Sequence, residues 1–165
     1  MIVVADAGPL IHLAAIGQLD LVRRVFDAVV IPAAVFQEVV VAGAGLPGSA
    51  EVAAARWIEV RSPTREDLVT AFEAGGLHRG EAEAIGLAVE MRAAWLLIDE
   101  RQGRLTALTL GIGVIGSIGI LIAAKSRGDI GAVRPTLTAL QRAGVWLSDA
   151  LIAQVLEAVD ENDEV

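Results

Sequence analysis

The chain of 165 residues contains no cysteine, no tyrosine, one lysine and two histidines. Without cysteine there is no disulfide framework, no thiolate metal site and no cysteine nucleophile. That composition suits a reducing compartment, so a cytoplasmic location is expected. His12 and His78 are too few and too far apart in sequence for a histidine-based hydrolase. The absence of tyrosine, with only three tryptophans and three phenylalanines, argues against an aromatic platform that stacks nucleobases. Positive charge is scarce too: 13 Lys and Arg stand against 21 Asp and Glu, a formal net charge of -8. This counts against a broad basic footprint for nucleic acid. It does not exclude a nuclease, because bound cations invert the local sign of the field.

No secretory leader is evident, since Asp6 interrupts the first apolar run. Leu105–Ala124 carries no charge and is as long as a bilayer span, but Gly111, Gly113, Gly116 and Gly119 punctuate it. It reads instead as a helix ending near Leu110, a strand over Gly113–Ile115 and a helix over Ser117–Arg127. No contact with a membrane is expected.

What is present is a strand–helix alternation in a chain that is 55% hydrophobic. Ile2–Ala5, Val29–Ile31, Trp57–Val60, Trp95–Ile98 and Gly113–Ile115 read as short apolar strands. Helical patterns over Pro9–Ile16, Leu19–Phe26, Pro32–Val41, Val52–Arg56, Arg65–Glu73, Gly80–Ala93 and Gln102–Leu110 separate them. Strands that are apolar throughout, alternating with helices, indicate an α/β fold whose parallel sheet is covered on both faces. The expected division is a principal domain over 1–130 and C-terminal helices over 131–160 packed on it, followed by a solvated acidic tail over 161–165 within "DENDEV". The apolar helical stretches near Val35–Val41 and Ile118–Ile122 read as ordinary core, with an interface to a second copy or to a partner protein as the alternative.

In such sheets ligands bind beyond the carboxyl ends of the strands, so the acids delivered there carry the interest. Asp6 ends the first strand, in "IVVADAGPLIHL". Gly8 suits the helix cap and Pro9 the first helical position, which leaves Asp6 without a structural task. Asp99 ends "WLLID" in the same way, although Asp99 and Gln102 also have capping-box spacing. Glu38 has Ala34, Val35, Val41 and Ala42 as its helical neighbours, an apolar stripe in which a solvated acid is out of place. In "HRGEAEAIGLAVE", Glu81 shares a stripe with Ala84, Ile85 and Ala88, whereas Glu83 shares one with Arg79, Leu87 and Glu90. Glu81 is therefore expected to face inward, with Glu83 a surface partner of Arg79.

Asp6, Glu38, Glu81 and Asp99 would then share one area. Two carboxylates about 4–5 Å apart repel by roughly 3–4 kcal/mol at an effective dielectric near 20. Such a cluster takes up protons or a cation, and oxygen-only ligands favour Mg²⁺ or Mn²⁺ over Zn²⁺. An ion so held suits phosphodiester hydrolysis.

The stretches "VADAGPLIHL", "VVIPAAVFQEVV", "LHRGEAEAIGLA" and "LLIDERQGR" resemble, in order, the acidic motifs of PIN-domain proteins. The nearest similarity is to the bacterial and archaeal branch related to VapC-type toxins, over roughly Met1–Arg127. The resemblance implies a three-layer α/β/α fold with a central parallel sheet of about four or five strands. It also implies a Mg²⁺- or Mn²⁺-dependent endoribonuclease, frequent homodimers, and restraint by a partner antitoxin protein. By position, Asp6, Glu81 and Asp99 correspond to metal-holding acids. Glu38 corresponds to an acid that positions or deprotonates water, or that ligates through water. Two departures bear on strength. Arg101 stands where the family often has a further acid, leaving Glu100 as a substitute, and Ala7 replaces a frequent hydroxyl residue. A PIN-fold binding protein with a weakened site is thus the alternative. A receiver-type module lacks its paired acids and its lysine here. The G-x-G-x-x-G over Gly111–Gly116 lies across a strand rather than after one, so its context is wrong for a dinucleotide.

Overall fold

The computed structural model describes residues 1–162. Five strands form one parallel sheet: β1 (Val3–Ala5), β2 (Val29–Pro32), β3 (Ile58–Arg61), β4 (Trp95–Leu97) and β5 (Gly113–Ile115), in the order β3-β2-β1-β4-β5. Parallel neighbours need crossovers, and helices supply them. In chain order they are α1 (Ala7–Ala15), α2 (Asp20–Phe26), α3 (Ala33–Phe36), α4 (Ser49–Ala54), α5 (Glu66–Ala74), α6 (Arg79–Met91), α7 (Arg101–Thr109), α8 (Ser117–Arg127), α9 (Arg134–Arg142) and α10 (Asp149–Ala158).

Alternation along the strands divides the core in two. Val3, Ala5, Val29, Ile31 and Leu97 point to one face and pack with Leu10, Leu13, Ile120, Leu121 and Leu137. Val4, Val30, Leu96 and Ile98 point to the other and pack with Val69, Ile85, Leu87 and Ala107. The result is the three-layer α/β/α arrangement. β3 is less apolar than its sequence context promised: it is an edge strand, and Glu59, Val60 and Arg61 are exposed. The C-terminal helices belong to the same core, through Val133, Leu140, Val155 and Leu156. Among the described residues no helix is long and apolar enough to cross a membrane.

Three local readings need correction. The helix expected from Pro32 to Val41 is α only over α3; Gln37–Ala42 continues it as a π-helical segment. Its buried residues are Val35 and Val39, while Val41 is 55% exposed, so Glu38 lies beside the packed face rather than on it. Ser49 Oγ donates to the Val40 carbonyl at 3.0 Å, taking up an acceptor in that wider turn. Secondly, Glu161 is not part of a solvated tail. It accepts from the Val133 N–H at 2.6 Å, the Arg134 N–H at 2.9 Å and Lys125 Nζ at 2.9 Å, so it caps α9. The rest of the expected tail, positions 163–165, lies outside the described residues. The third concerns Gly8, which is not the cap of the first helix: α1 begins at Ala7, with Asp6 in the N-cap position.

Candidate metal-binding site

β1 and β4 lie side by side, but the chain leaving β1 passes to β2 and the chain leaving β4 passes to β5, on opposite sides. The connections part at this point and open a crevice beyond the carboxyl ends, the usual place for a ligand in an open α/β sheet. A cavity of about 830 Å³ occupies it, bordered by Asp6, Glu38, Glu81 and Asp99, together with His12, Arg79 and Gly80. All four acids singled out in the sequence thus border one space, each in a different state.

Asp6 stands directly after β1, its N–H donating to the Leu97 carbonyl at 2.8 Å. It is 5% exposed, and although it occupies the N-cap position its side chain caps no N–H of the first turn. Its Oδ1 is buried without a hydrogen-bond partner among the described residues. Burial is the main cause that raises its pKa to about 7; the Ala7 N–H opposes this, and the charges of Glu81, Glu38 and Asp99 reinforce it.

Asp99 follows β4 after Ile98 and has the opposite surroundings. Its Oδ1 accepts from the Ser117 N–H at 2.7 Å. Its Oδ2 accepts from Ser117 Oγ at 2.6 Å and from His12 Nδ1 at 2.7 Å. An ionised carboxylate has no proton to give, so it fixes His12 as the Nδ1–H tautomer. Burial pushes Asp99 up, but His12 and the two Ser117 donors outweigh it and hold the carboxyl below its ordinary range. The capping role weighed for Asp99 falls to the next residue. Glu100 accepts from the Gln102 and Gly103 N–H groups at 2.9 and 2.6 Å, and it too borders the cavity. Gly116 is required here, since a Cβ would stand 2.5 Å from Asp99 Oδ1.

Glu38 reaches the cavity from the π-helical segment. It is exposed on its outer side, and its pKa is raised by partial burial first and by the Glu81 charge second. Glu81 lies in the first turn of α6, where its Oε2 accepts from the His78 N–H at 2.8 Å. The surface assignment of Glu83 is overturned, while Glu81 borders the cavity. Glu83 is 7% exposed and Glu81 is half-buried on the cavity edge. The stripe argument assumed a helix packed on one side only, whereas Ala82 to Ala88 are all buried. The pairing of Glu83 with Arg79 holds, at 2.9 Å, but the second Glu83 oxygen accepts from the Ala34 N–H at 3.0 Å. This buried carboxylate ties α6, which carries Glu81, to the start of α3, which leads to Glu38. Gly80 completes the space: a Cβ there would lie 3.1 Å from Glu38 Oε2 and 3.7 Å from Asp6 Oδ1. A methyl group would fill the gap between these two oxygens.

Carboxylates around a buried oxygen without a partner among the described residues fit a hard divalent cation, although His12 and His78 border the same space. The shell is not ready-made: among the described residues no three Asp, Glu or His side chains stand together as a metal-binding group. The expectation that these acids crowd until only an ion makes them tolerable is corrected accordingly. The raised pKa of Asp6, and hydrogen bonds to Glu81 and Asp99, ease the repulsion. A search for acids alone passed over His12 and Ser117. Ser117 follows β5 at the same sheet edge, so the rule that singled out Asp6 and Asp99 would have found it.

A family model described as a PIN domain matches residues 2–161. No curated protein and no solved structure matches the chain.

Proposed function

Because the chain belongs to the PIN-domain family, we propose that it is a Mg²⁺- or Mn²⁺-dependent endoribonuclease. PIN domains are generally metal-dependent nucleases. The observation that carries the reading is the Asp6 Oδ1, buried and without a partner among the described residues, in a cavity bordered by Glu38, Glu81, Asp99 and Glu100. Asp6 and Glu81 would hold the ion, Glu81 by leaving the His78 N–H. Asp99 stands beside them with three hydrogen bonds already accepted, so it contributes negative charge and a remaining lone pair. When bound, the ion supplies positive charge that stabilises a phosphate's developing charge and acidifies water.

The residues divide the remaining work. Glu38, raised in pKa and open to solvent, accepts the proton of the attacking water. The water oxygen bonds to phosphorus, the bond from phosphorus to the 3′-oxygen breaks, and that oxygen leaves with a proton from solvent. The products are a 3′-hydroxyl and a 5′-phosphate. Asp99 holds His12 at the cavity wall in one orientation. The reading extends to a toxin restrained by an antitoxin and acting as a homodimer, supported by the sequence resemblance to VapC-type toxins.

The test is cleavage of pooled structured RNAs with Mg²⁺, Mn²⁺ or EDTA, comparing wild type with Asp6→Asn and Glu81→Gln. Cleavage that needs the ion and is lost in both variants is expected. Cleavage that survives chelation and both substitutions removes the reading. A second reading, a PIN-fold binding protein with a silent site, is favoured by one observation: the oxygens of Asp99 and one oxygen of Glu81 are engaged within the protein. Calorimetric Mn²⁺ binding without cleavage would select it.

A further inference from the structure

We infer that a second cleft, on the far side of Asp99, is a subsite for a nucleotide that flanks the scissile phosphate of a single-stranded RNA. The inference rests on the nuclease reading and deepens it. The cleft has a volume of about 530 Å³, within the range of ligand pockets, and Asp99 forms part of both its wall and that of the acidic cavity. A strand that occupies the acidic cavity would reach the cleft across Asp99.

The lining is divided by chemistry. Ile115, Ile118 and Ile122 line it together with Leu151 and Val155, apolar surface suited to a base's flat faces. Gln154 on the α10 side has no hydrogen-bond partner among the described residues and offers both a donor and an acceptor to a base edge. Arg104 stands on the Asp99 side. Its Nη1 donates to the Ile98 carbonyl at 2.8 Å, and it makes no ion pair among the described residues.

Arg56, Arg92, Arg101 and Arg142 also make no ion pair among the described residues, but of these five arginines Arg104 is the one that lines either space. Arg23 and Arg24 pair with Asp20, Arg61 with Glu59, Arg65 with Asp67, and Arg79 with Glu66, Glu73 and Glu83. A protein of net charge -8 that neutralises most of its cations locally leaves one unpaired at the junction of an acidic cavity and an apolar slot. A phosphate bridging the two spaces supplies the complement. A purely apolar partner would leave both the guanidinium and the Gln154 amide unused. The guanidinium also stands close to Gly116, where a Cβ would lie 3.0 Å from Arg104 Nη1 and 2.5 Å from Asp99 Oδ1. A Cβ at residue 116 would thus press on both side chains at the boundary of the two spaces.

The test is fluorescence-anisotropy binding of a 5′-fluorescein-labelled 12-nucleotide single-stranded RNA, with Ca²⁺ in place of Mg²⁺. Wild type is compared with Arg104→Gln, with Leu151→Trp as a plug of the slot at a position already 36% exposed, and with Arg61→Gln at the opposite sheet edge. Thermal melting confirms that each variant is folded. Arg104→Gln should raise Kd about five- to tenfold and reduce the slope of log K against log salt by about 0.7. Leu151→Trp should raise Kd with the slope unchanged, and Arg61→Gln should change neither. Equal effects of Arg104→Gln and Arg61→Gln, or no effect of Leu151→Trp, overturn the subsite, and a protein partner that competes with no RNA does the same. In those cases wild type still cleaves, so the nuclease reading stands. Wild type that neither binds nor cleaves RNA removes the nuclease reading and the subsite with it.

Discussion

Asp6 and Asp99 follow neighbouring strands, Asp99 one position further along, and border the same cavity, yet one is raised to about 7 and the other held below its ordinary range. Burial acts on both. What separates them is donors: Asp99 accepts three hydrogen bonds, from His12 and Ser117, while Asp6 keeps an oxygen with none. Position at a strand end therefore delivers an acid to the site without deciding its chemistry, which the facing helices set. Glu83 is a third case on the same scale, buried like Asp6 and bonded at both oxygens like Asp99.

The largest expected effect is on stability against pH without metal. Asp6 binds its proton more tightly folded than unfolded, so its contribution is whole below pH 4 and is lost as pH rises through about 7. The shift from 3.8 to about 7 corresponds to roughly 4 kcal/mol as an upper figure. Urea unfolding in EDTA at pH 5 and pH 8 should show wild type weakening relative to Asp6→Asn. A difference that does not change with pH would abolish the contrast with Asp99.

Next comes Glu83→Ala, which strips the Ala34 N–H of its acceptor and Arg79 of a buried partner, a loss of about 2–3 kcal/mol. Glu83→Gln keeps the acceptor and should recover part of it, with calorimetric Mn²⁺ affinity close to wild type. If Glu83→Gln lowers that affinity as far as Glu81→Gln does, then the buried acid of α6 and not the cavity-edge one holds the ion. Ser117→Ala should cost about 1–2 kcal/mol and move Asp99 toward Asp6, because one of its donors is gone. Carboxyl NMR of Asp99 reads this directly, and an unmoved titration would show that the hydroxyl is not what holds it down. The smallest stability effect is expected for Gly80→Ala, with little change in melting temperature but weaker Mn²⁺ binding, since its methyl group would enter the gap between Asp6 and Glu38. Mn²⁺ affinity equal to wild type would show that this gap is not where the ion sits.

The architecture was legible because it depends on patterns that survive without coordinates. Apolar strands alternating with helices gave the parallel sheet, and glycines at 111, 113, 116 and 119 divided the uncharged run into helix, strand and helix. The acids at strand ends were legible for the same reason. What was hidden depends on partners from distant segments. Helical spacing places Glu81 and Glu83 on different faces, but only the packing of α6 on several sides shows that Glu83 is the buried one. The π-helical segment shifts Glu38 off the stripe that α-helical spacing assigns it. The cap at Glu100 rather than Asp99 depends on where α7 begins, a difference of one residue that no propensity resolves. His12 and Ser117 are 105 positions apart, and nothing local to either signals that both bind one carboxylate.

The central claim is that Asp6 is an acid kept from ionising by its surroundings until a divalent cation enters the cavity. Carboxyl ¹³C NMR titration of Asp6, in EDTA and again in excess Mg²⁺, tests it most directly. The account predicts a midpoint near 7 in EDTA that falls well below 5 with Mg²⁺. A midpoint near 4 in EDTA, or one that Mg²⁺ leaves in place, would contradict it.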